Sequence, residues 1–148
     1  MPTDSTQPLR PPFLVYGTLR PGEPNYHRLR LDRRTEHVGT ALVPGVVMFD
    51  SGPFPYAVFT GAASDRITVD VLGARPGQYD DLLADVDMLE GYRCVGGENH
   101  YERSGEVARL ADGKQFLGWL YLASTWTQEQ VIERRGYPRI TSGDWLSR

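Results

Sequence analysis

One cysteine, Cys94, stands in 148 residues, so no disulfide can form within the chain. No apolar run approaches the ~18 residues that a membrane-crossing helix needs. The opening Met1-Pro-Thr-Asp-Ser-Thr-Gln-Pro8 is polar and lacks the apolar stretch of a signal peptide. Positive charge is not in excess: 16 Lys and Arg stand against 19 Asp and Glu, a net charge of −3. That balance argues against a nucleic-acid binder that works by neutralising phosphates. These absences together predict a cytoplasmic protein with neither a membrane nor a nucleic-acid partner. The three histidines (His27, His37 and His100) are scattered, and Cys94 has no cysteine partner, so no metal site is expected. The chain also has no Gly-x-Gly-x-x-Gly loop, no Walker-type loop and no Gly-x-Ser-x-Gly elbow.

What is present is ordinary globular composition, with 40% hydrophobic and 24% charged residues. The length suits one domain with a real core. We read residues 1–11 as a flexible lead and 12–148 as a single domain. Sixteen Gly and eleven Pro imply many turns, which favours a β-rich fold over a helix bundle. Strands are predicted at about 12–16, on either side of a Pro44-Gly45 turn within 37–50, at 56–60 and at 67–72. A hairpin is predicted from Tyr101–Leu110 and Phe116–Leu122, turning at 111–114. Leu82, Leu83, Val86 and Leu89 recur at helical spacing, so 79–89 is the clearest helix, with Gly91 as its stop. Pro24–Leu29 opens a short helix with Asn25 as its cap, and Trp126–Arg135 forms a last one capped by Thr127. Arg28, Arg30, Arg33 and Arg34 read as a solvated face. Many short strands with few helices predict a small, strongly curved or closed mixed α/β sheet, a β-barrel with a few short helices.

Two stretches carry chemistry. In Phe13-Leu-Val-Tyr-Gly-Thr-Leu-Arg-Pro-Gly22 an apolar strand stops at Tyr16-Gly17-Thr18, where Gly17 allows a sharp turn. The loop that follows has backbone N–H groups free to hold an anion or a polarised carbonyl. It reads equally as an ordinary strand-to-loop turn. In Asp87-Met-Leu-Glu-Gly-Tyr92, Glu90 ends an amphipathic helix. Packed inward, its carboxyl would be desolvated, raised in pKa and suited to general-base work. Packed outward, it is an inert surface group.

Val15-Tyr-Gly-Thr-Leu-Arg20, Pro24-Asn25, Asp87-Met-Leu-Glu-Gly-Tyr92 and Tyr101-Glu-Arg103 occur in the order of the gamma-glutamylcyclotransferase-like family. The chain resembles that family, including its gamma-glutamylamine cyclotransferase branch. Asp50-Ser-Gly-Pro-Phe-Pro55 is similar to the family's Asp-Gly-Gly-Tyr-Pro loop, and Ile140-Thr-Ser-Gly-Asp-Trp145 resembles the close of bacterial members. The resemblance implies a small mixed barrel with a cavity and a cofactor-independent enzyme. Its substrate would be a small-molecule gamma-glutamyl amide, cyclised to 5-oxoproline with release of an amine. Carried over, Glu90 is the catalytic acid/base, and Tyr16, Gly17, Thr18 and Leu19 hold the gamma-glutamyl group. Tyr101 is a secondary substrate-binding residue.

One departure stands out. Val69 and Asp70 replace the family's usual Gly-Glu, which bears on strand packing or substrate fit rather than on the reaction. A non-catalytic binding module of the same fold is the alternative, and the retained Glu90 argues against it. Loops 91–100 and 111–115 are expected to select the amine; Glu98 and Asp112 within them read first as ordinary surface charges, with attraction of a cationic amine as the alternative. Oligomeric state is not legible.

Overall fold

The first strand shows why a short apolar run can organise this chain. The computed structural model describes residues 10–92 and 99–148. Cys94, Glu98 and most of the predicted 91–100 loop therefore lie outside the described residues, as do residues 1–9 of the lead. Strand β1 (Phe13–Val15) is buried on both faces. Leu14 joins an inner core with Val69, Val71 and Leu120, while Phe13 and Val15 pack in an outer core with Leu82 and Val86. A strand with two dry faces must be apolar without alternation, and Phe13-Leu14-Val15 is.

Five strands close into a barrel in the order β1, β5 (Arg66–Ala74), β2 (Thr35–Pro44), β6 (Tyr101–Leu110) and β7 (Gln115–Ala123). β1 runs antiparallel to β5 and parallel to β7. β5 puts Ile67, Val69 and Val71 into the inner core and turns Asp70 and Leu72 the other way, the period-2 alternation of a pleated strand. The barrel is sealed at Phe13 opposite Trp119, where the Trp119 amide donates to the Pro12 carbonyl at 2.8 Å. β2 and β6 meet only briefly, at Ala41–Leu110 and Leu42–Arg109.

At Pro44 the chain leaves the barrel. Gly45 adopts φ 78°, a left-handed conformation suited to glycine. β3 (Val46–Asp50) and β4 (Pro55–Phe59) then form a separate two-stranded sheet. Helix α3 (Tyr79–Glu90) covers β1 and ends at Gly91, φ 69°, with the Tyr92 amide bonded back to the Asp87 carbonyl. No described helix is long and apolar enough to cross a membrane.

Two predicted caps are corrected. Helix α1 (Pro24–Arg28) begins on Pro24 with Glu23 at the cap position, so Asn25 lies inside the first turn. Helix α4 (Thr125–Thr127), continued as a π-helical turn over Gln128–Glu133, is capped by Ser124, whose side chain accepts from the Thr127 amide. Arg28, Arg30 and Arg33 are exposed, as a solvated face requires.

Gly118 marks the tightest point of the barrel seam. A Cβ there would lie 2.7 Å from Leu14 and 2.8 Å from the Pro12 carbonyl. Gly118→Ala is expected to destabilise the fold by about 1–3 kcal/mol through overpacking. Urea denaturation checks this, and an unchanged midpoint would contradict the seam described.

Candidate active site

The loop after β1 and the end of α3 meet at one cavity of about 540 Å³. Tyr16, Gly17, Thr18, Leu19, Glu90 and Tyr101 all line it. The structure thus gathers every site residue named from the sequence. It adds three polar side chains that sequence reasoning did not place there: Asn25, His100 and Tyr121. Asn25 entered as a cap and as part of the Pro24-Asn25 motif, without a role at the site. His100 was set aside as scattered, although it directly precedes Tyr101 in the Tyr101-Glu-Arg103 motif.

The loop is held by a buried ion network. Arg20 is 4% exposed and Asp70 5% exposed. Arg20 Nε lies 2.7 Å from Asp70 Oδ2, and Arg20 Nη1 lies 2.7 Å from Asp144 Oδ1. Asp70 Oδ1 also meets His37 Nε2 at 2.8 Å and accepts from the Thr40 hydroxyl at 3.0 Å. Burial alone would raise the Asp70 pKa, but the bonds from Arg20, His37 and Thr40 outweigh it and hold the group below the ordinary carboxylate value. The residue that departs from the family pattern is therefore the anchor of the Tyr16–Arg20 loop.

Gly17 is needed for a reason other than the one expected. Its φ is not positive. A Cβ at Gly17 would instead stand 2.6 Å from the Pro55 ring, so glycine permits close approach of the 51–55 loop. Beyond it the Thr18 carbonyl accepts from the Asn25 and Tyr26 amides, and Asn25 Nδ2 donates to Thr18 Oγ1 at 2.7 Å. The amides of Gly17, Thr18 and Leu19 donate to no acceptor among the described residues. Three unused N–H groups at a cavity wall are a ready anion or oxyanion cradle.

Among the described residues Glu90 supplies the one carboxylate in the lining. It keeps partial exposure because its free surface faces the cavity, yet the carboxyl is enclosed by protein. Burial pushes its pKa up to about 7. No described side chain hydrogen-bonds it. Its helix is pinned through Asp87, which meets Arg103 Nη1 at 2.6 Å and accepts from the Tyr121 hydroxyl at 2.5 Å. The Arg103 guanidinium in turn lies over the rings of Tyr92 and Trp119.

The tyrosines play a quieter part than their motif positions suggested. Tyr16 Oη donates to the Tyr121 carbonyl at 2.5 Å, and Tyr101 Oη donates to the Pro55 carbonyl at 3.1 Å. Both phenols are held well above their ordinary pKa by burial first and by neighbouring acidic groups, Glu90 included. They stay neutral and brace the backbone. His100 Nε2 pairs with the Tyr56 hydroxyl at 2.9 Å, and burial lowers its pKa.

Asp112 is not at the site. It sits in the β6–β7 turn, whereas Tyr101 and Ala123 pair at the other end of that hairpin. About 30 Å of strand separates the two ends, so loop 111–115 does not reach the cavity. Among the described residues no cluster of three His, Cys, Asp or Glu side chains could hold a metal.

Comparisons with known proteins agree with this geometry. A family model described as "Gamma-glutamyl cyclotransferase, AIG2-like" matches residues 13–147. A Drosophila melanogaster protein named "Putative gamma-glutamylcyclotransferase CG2811" is 27% identical over 130 residues, covering 80% of this chain and 73% of its own. An AIG2-like protein from Mus musculus superposes with TM-score 0.57 at 15% identity, over 78% of each chain. A protein described as specific to uropathogenic E. coli superposes with TM-score 0.58 at 17% identity, over 93% of each chain. At these identities the solved structures speak for the fold alone.

The ion network makes a strong demand on Arg20. Arg20→Leu strands a buried Asp70 charge and is expected to destabilise the protein by about 3 kcal/mol. Thermal or chemical unfolding measures this, and a loss below about 1 kcal/mol would show that Asp70 is satisfied without Arg20.

Proposed function

The chain belongs to the AIG2-like gamma-glutamyl cyclotransferase family, and on that premise we propose that it is an enzyme that cyclises a gamma-glutamyl amide. The observation that carries this reading is the meeting, at one cavity, of an enclosed carboxyl and three backbone amides that have no hydrogen-bond partner among the described residues. The products are 5-oxoproline and a free amine. No water is consumed and no cofactor is required.

The substrate's α-ammonium must first lose a proton. Glu90 accepts it, and a carboxylate with a pKa near 7 is a far better base than an exposed one. The freed α-amine then attacks its own γ-carbonyl, forming the ring C–N bond. The carbonyl oxygen becomes an oxyanion, which the Gly17–Leu19 amides are suited to stabilise, as they are suited to hold the substrate carboxylate. The γ-carbon then expels the original amine as the carbonyl re-forms. Glu90 returns its proton to the leaving nitrogen and takes up the second proton that the ring nitrogen must shed, which passes on to the freed amine or to solvent, so one residue serves as base, acid and base again. Much of the rate comes from holding the chain curled, because the attack is intramolecular. Tyr16 and Tyr101 keep the walls fixed, and Thr18 offers a hydroxyl already oriented by Asn25.

Glu90→Gln keeps the shape and removes the base. It is expected to lower kcat for 5-oxoproline formation by roughly 10²–10⁴-fold while 5-oxoproline still binds. Undiminished turnover would sink the assignment. In the native enzyme kcat/KM is expected to rise with pH through an apparent pKa near 7, and a profile flat from pH 5 to 8 would contradict it.

The same group sets a stability trend. Folding raises the Glu90 pKa from 4.5 to about 7, so the folded state holds the proton more tightly. Below pH 4.5 the carboxyl is protonated in both states and has no effect. As pH rises from 4.5 towards 7 the unfolded state gains by ionising, and the native protein loses stability. Relative to Glu90→Gln, the loss is expected to reach about 2–3 kcal/mol above pH 7. Denaturation midpoints of both proteins at pH 4.5 and pH 8 measure it, and parallel midpoints would refute a buried Glu90.

A further inference from the structure

We propose that the amine side of this cavity selects an uncharged, apolar amine, with Phe54 as a specificity-determining residue. The inference rests on the cyclotransferase reading and concerns which amide is cyclised. At about 540 Å³ the cavity falls among clefts that enclose drug-sized ligands, so it has room beyond a gamma-glutamyl group. Besides the loop amides, Glu90 and the polar Asn25, His100, Tyr101 and Tyr121, the cavity has an apolar wall of Pro24, Pro53, Phe54, Pro55 and Leu89.

Phe54 is held in place rather than loosely packed. The Ser51 hydroxyl and amide both donate to the Phe54 carbonyl, at 2.6 and 3.2 Å, closing a tight turn. The Phe54 ring meets Tyr56 edge-on at 5.2 Å, and Tyr56 stacks on Tyr101 and Tyr137. Two prolines flank the ring and limit its backbone further. The result is a preformed apolar wall, which favours an apolar tail without an ordering penalty.

Three described charges beside the cavity wall, Arg20, Arg103 and Asp87, are already engaged. A leaving amine that carries a carboxylate would need a cation. No Lys or Arg lines the cavity among the described residues. Arg20 is bound to Asp70 and Asp144, and Arg103 is bound to Asp87 between two aromatic rings. A leaving amine with a distal ammonium would need a spare carboxylate. Glu90 faces the reacting nitrogens, and Asp87 is taken by Arg103 and Tyr121. An unpaired charge buried in this wall is strongly disfavoured.

Four synthetic amides test this: gamma-glutamyl benzylamide, gamma-glutamyl methylamide, gamma-glutamylglycine and mono-gamma-glutamyl-1,4-diaminobutane. The readout is kcat/KM for 5-oxoproline formation by the full chain. Benzylamide is expected to exceed both charged amides by about tenfold or more, and Phe54→Ala to compress the benzylamide-to-methylamide ratio by about tenfold. Equal or faster turnover of a charged amide overturns the inference and leaves the cyclotransferase reading standing. A ratio unmoved by Phe54→Ala removes Phe54 from the specificity role. No 5-oxoproline from any of the four overturns the cyclotransferase reading and this inference with it.

Discussion

A single buried arginine holds the functional loop in place. Arg20 lies at the end of Tyr16-Gly-Thr-Leu-Arg20, nearly free of solvent, with its guanidinium shared between Asp70 on β5 and Asp144 near the C-terminal turn. A charge so buried is tolerated only when fully paired. Pairing it fixes the loop at its far end, while β1 fixes the near end in the barrel. Between those two anchors the chain has little freedom. It must present the Gly17, Thr18 and Leu19 amides without internal acceptors, and it must let Pro55 approach Gly17 closely. The cavity wall follows from that clamp.

The opposite requirement governs Glu90. Arg20 is neutralised by partners, but Glu90 has none among the described residues, and its pKa is left to rise. The two groups divide the work by their surroundings. Full pairing makes Arg20 structural, and the lack of a described partner suits Glu90 to the acid/base role proposed for it. Asp87 shows the same contrast within one helix. Three residues before Glu90, it is bound by Arg103 and Tyr121 and pins the helix end that carries the free carboxyl.

Much of this was legible in the chain. The apolar run at β1, the helical spacing of Leu82, Val86 and Leu89, and the Gly91 stop are local signals, and they place Glu90 at a helix end. The Asp87-x-x-Glu-Gly-Tyr92 spacing shows its physical sense once Asp87 and Tyr92 are seen on either side of Arg103. What was not legible depends on distant partners. Gly17 needs no positive φ; it needs space for Pro55, which lies 38 positions along the chain. Asp70 looked like a departure from pattern until Arg20, His37 and Thr40 converged on it. His100 gave no signal as one of three scattered histidines. Loop 111–115 was expected to help choose the substrate, but the pairing of β6 with β7 puts it at the far end, where Asp112 is an exposed surface charge. The caps at Asn25 and Thr127 were misplaced by two and three residues, because helix boundaries are the least legible part of a sequence pattern.

The central claim is that the bond to the amine is broken by the substrate's own nitrogen and not by water. Turnover of a gamma-glutamyl amide labelled with ¹⁵N at the α-amine, in H₂¹⁸O, tests it most directly. The account predicts 5-oxoproline with ¹⁵N in its ring and no ¹⁸O. Release of glutamate carrying ¹⁸O in its γ-carboxyl would mean hydrolysis and would contradict it.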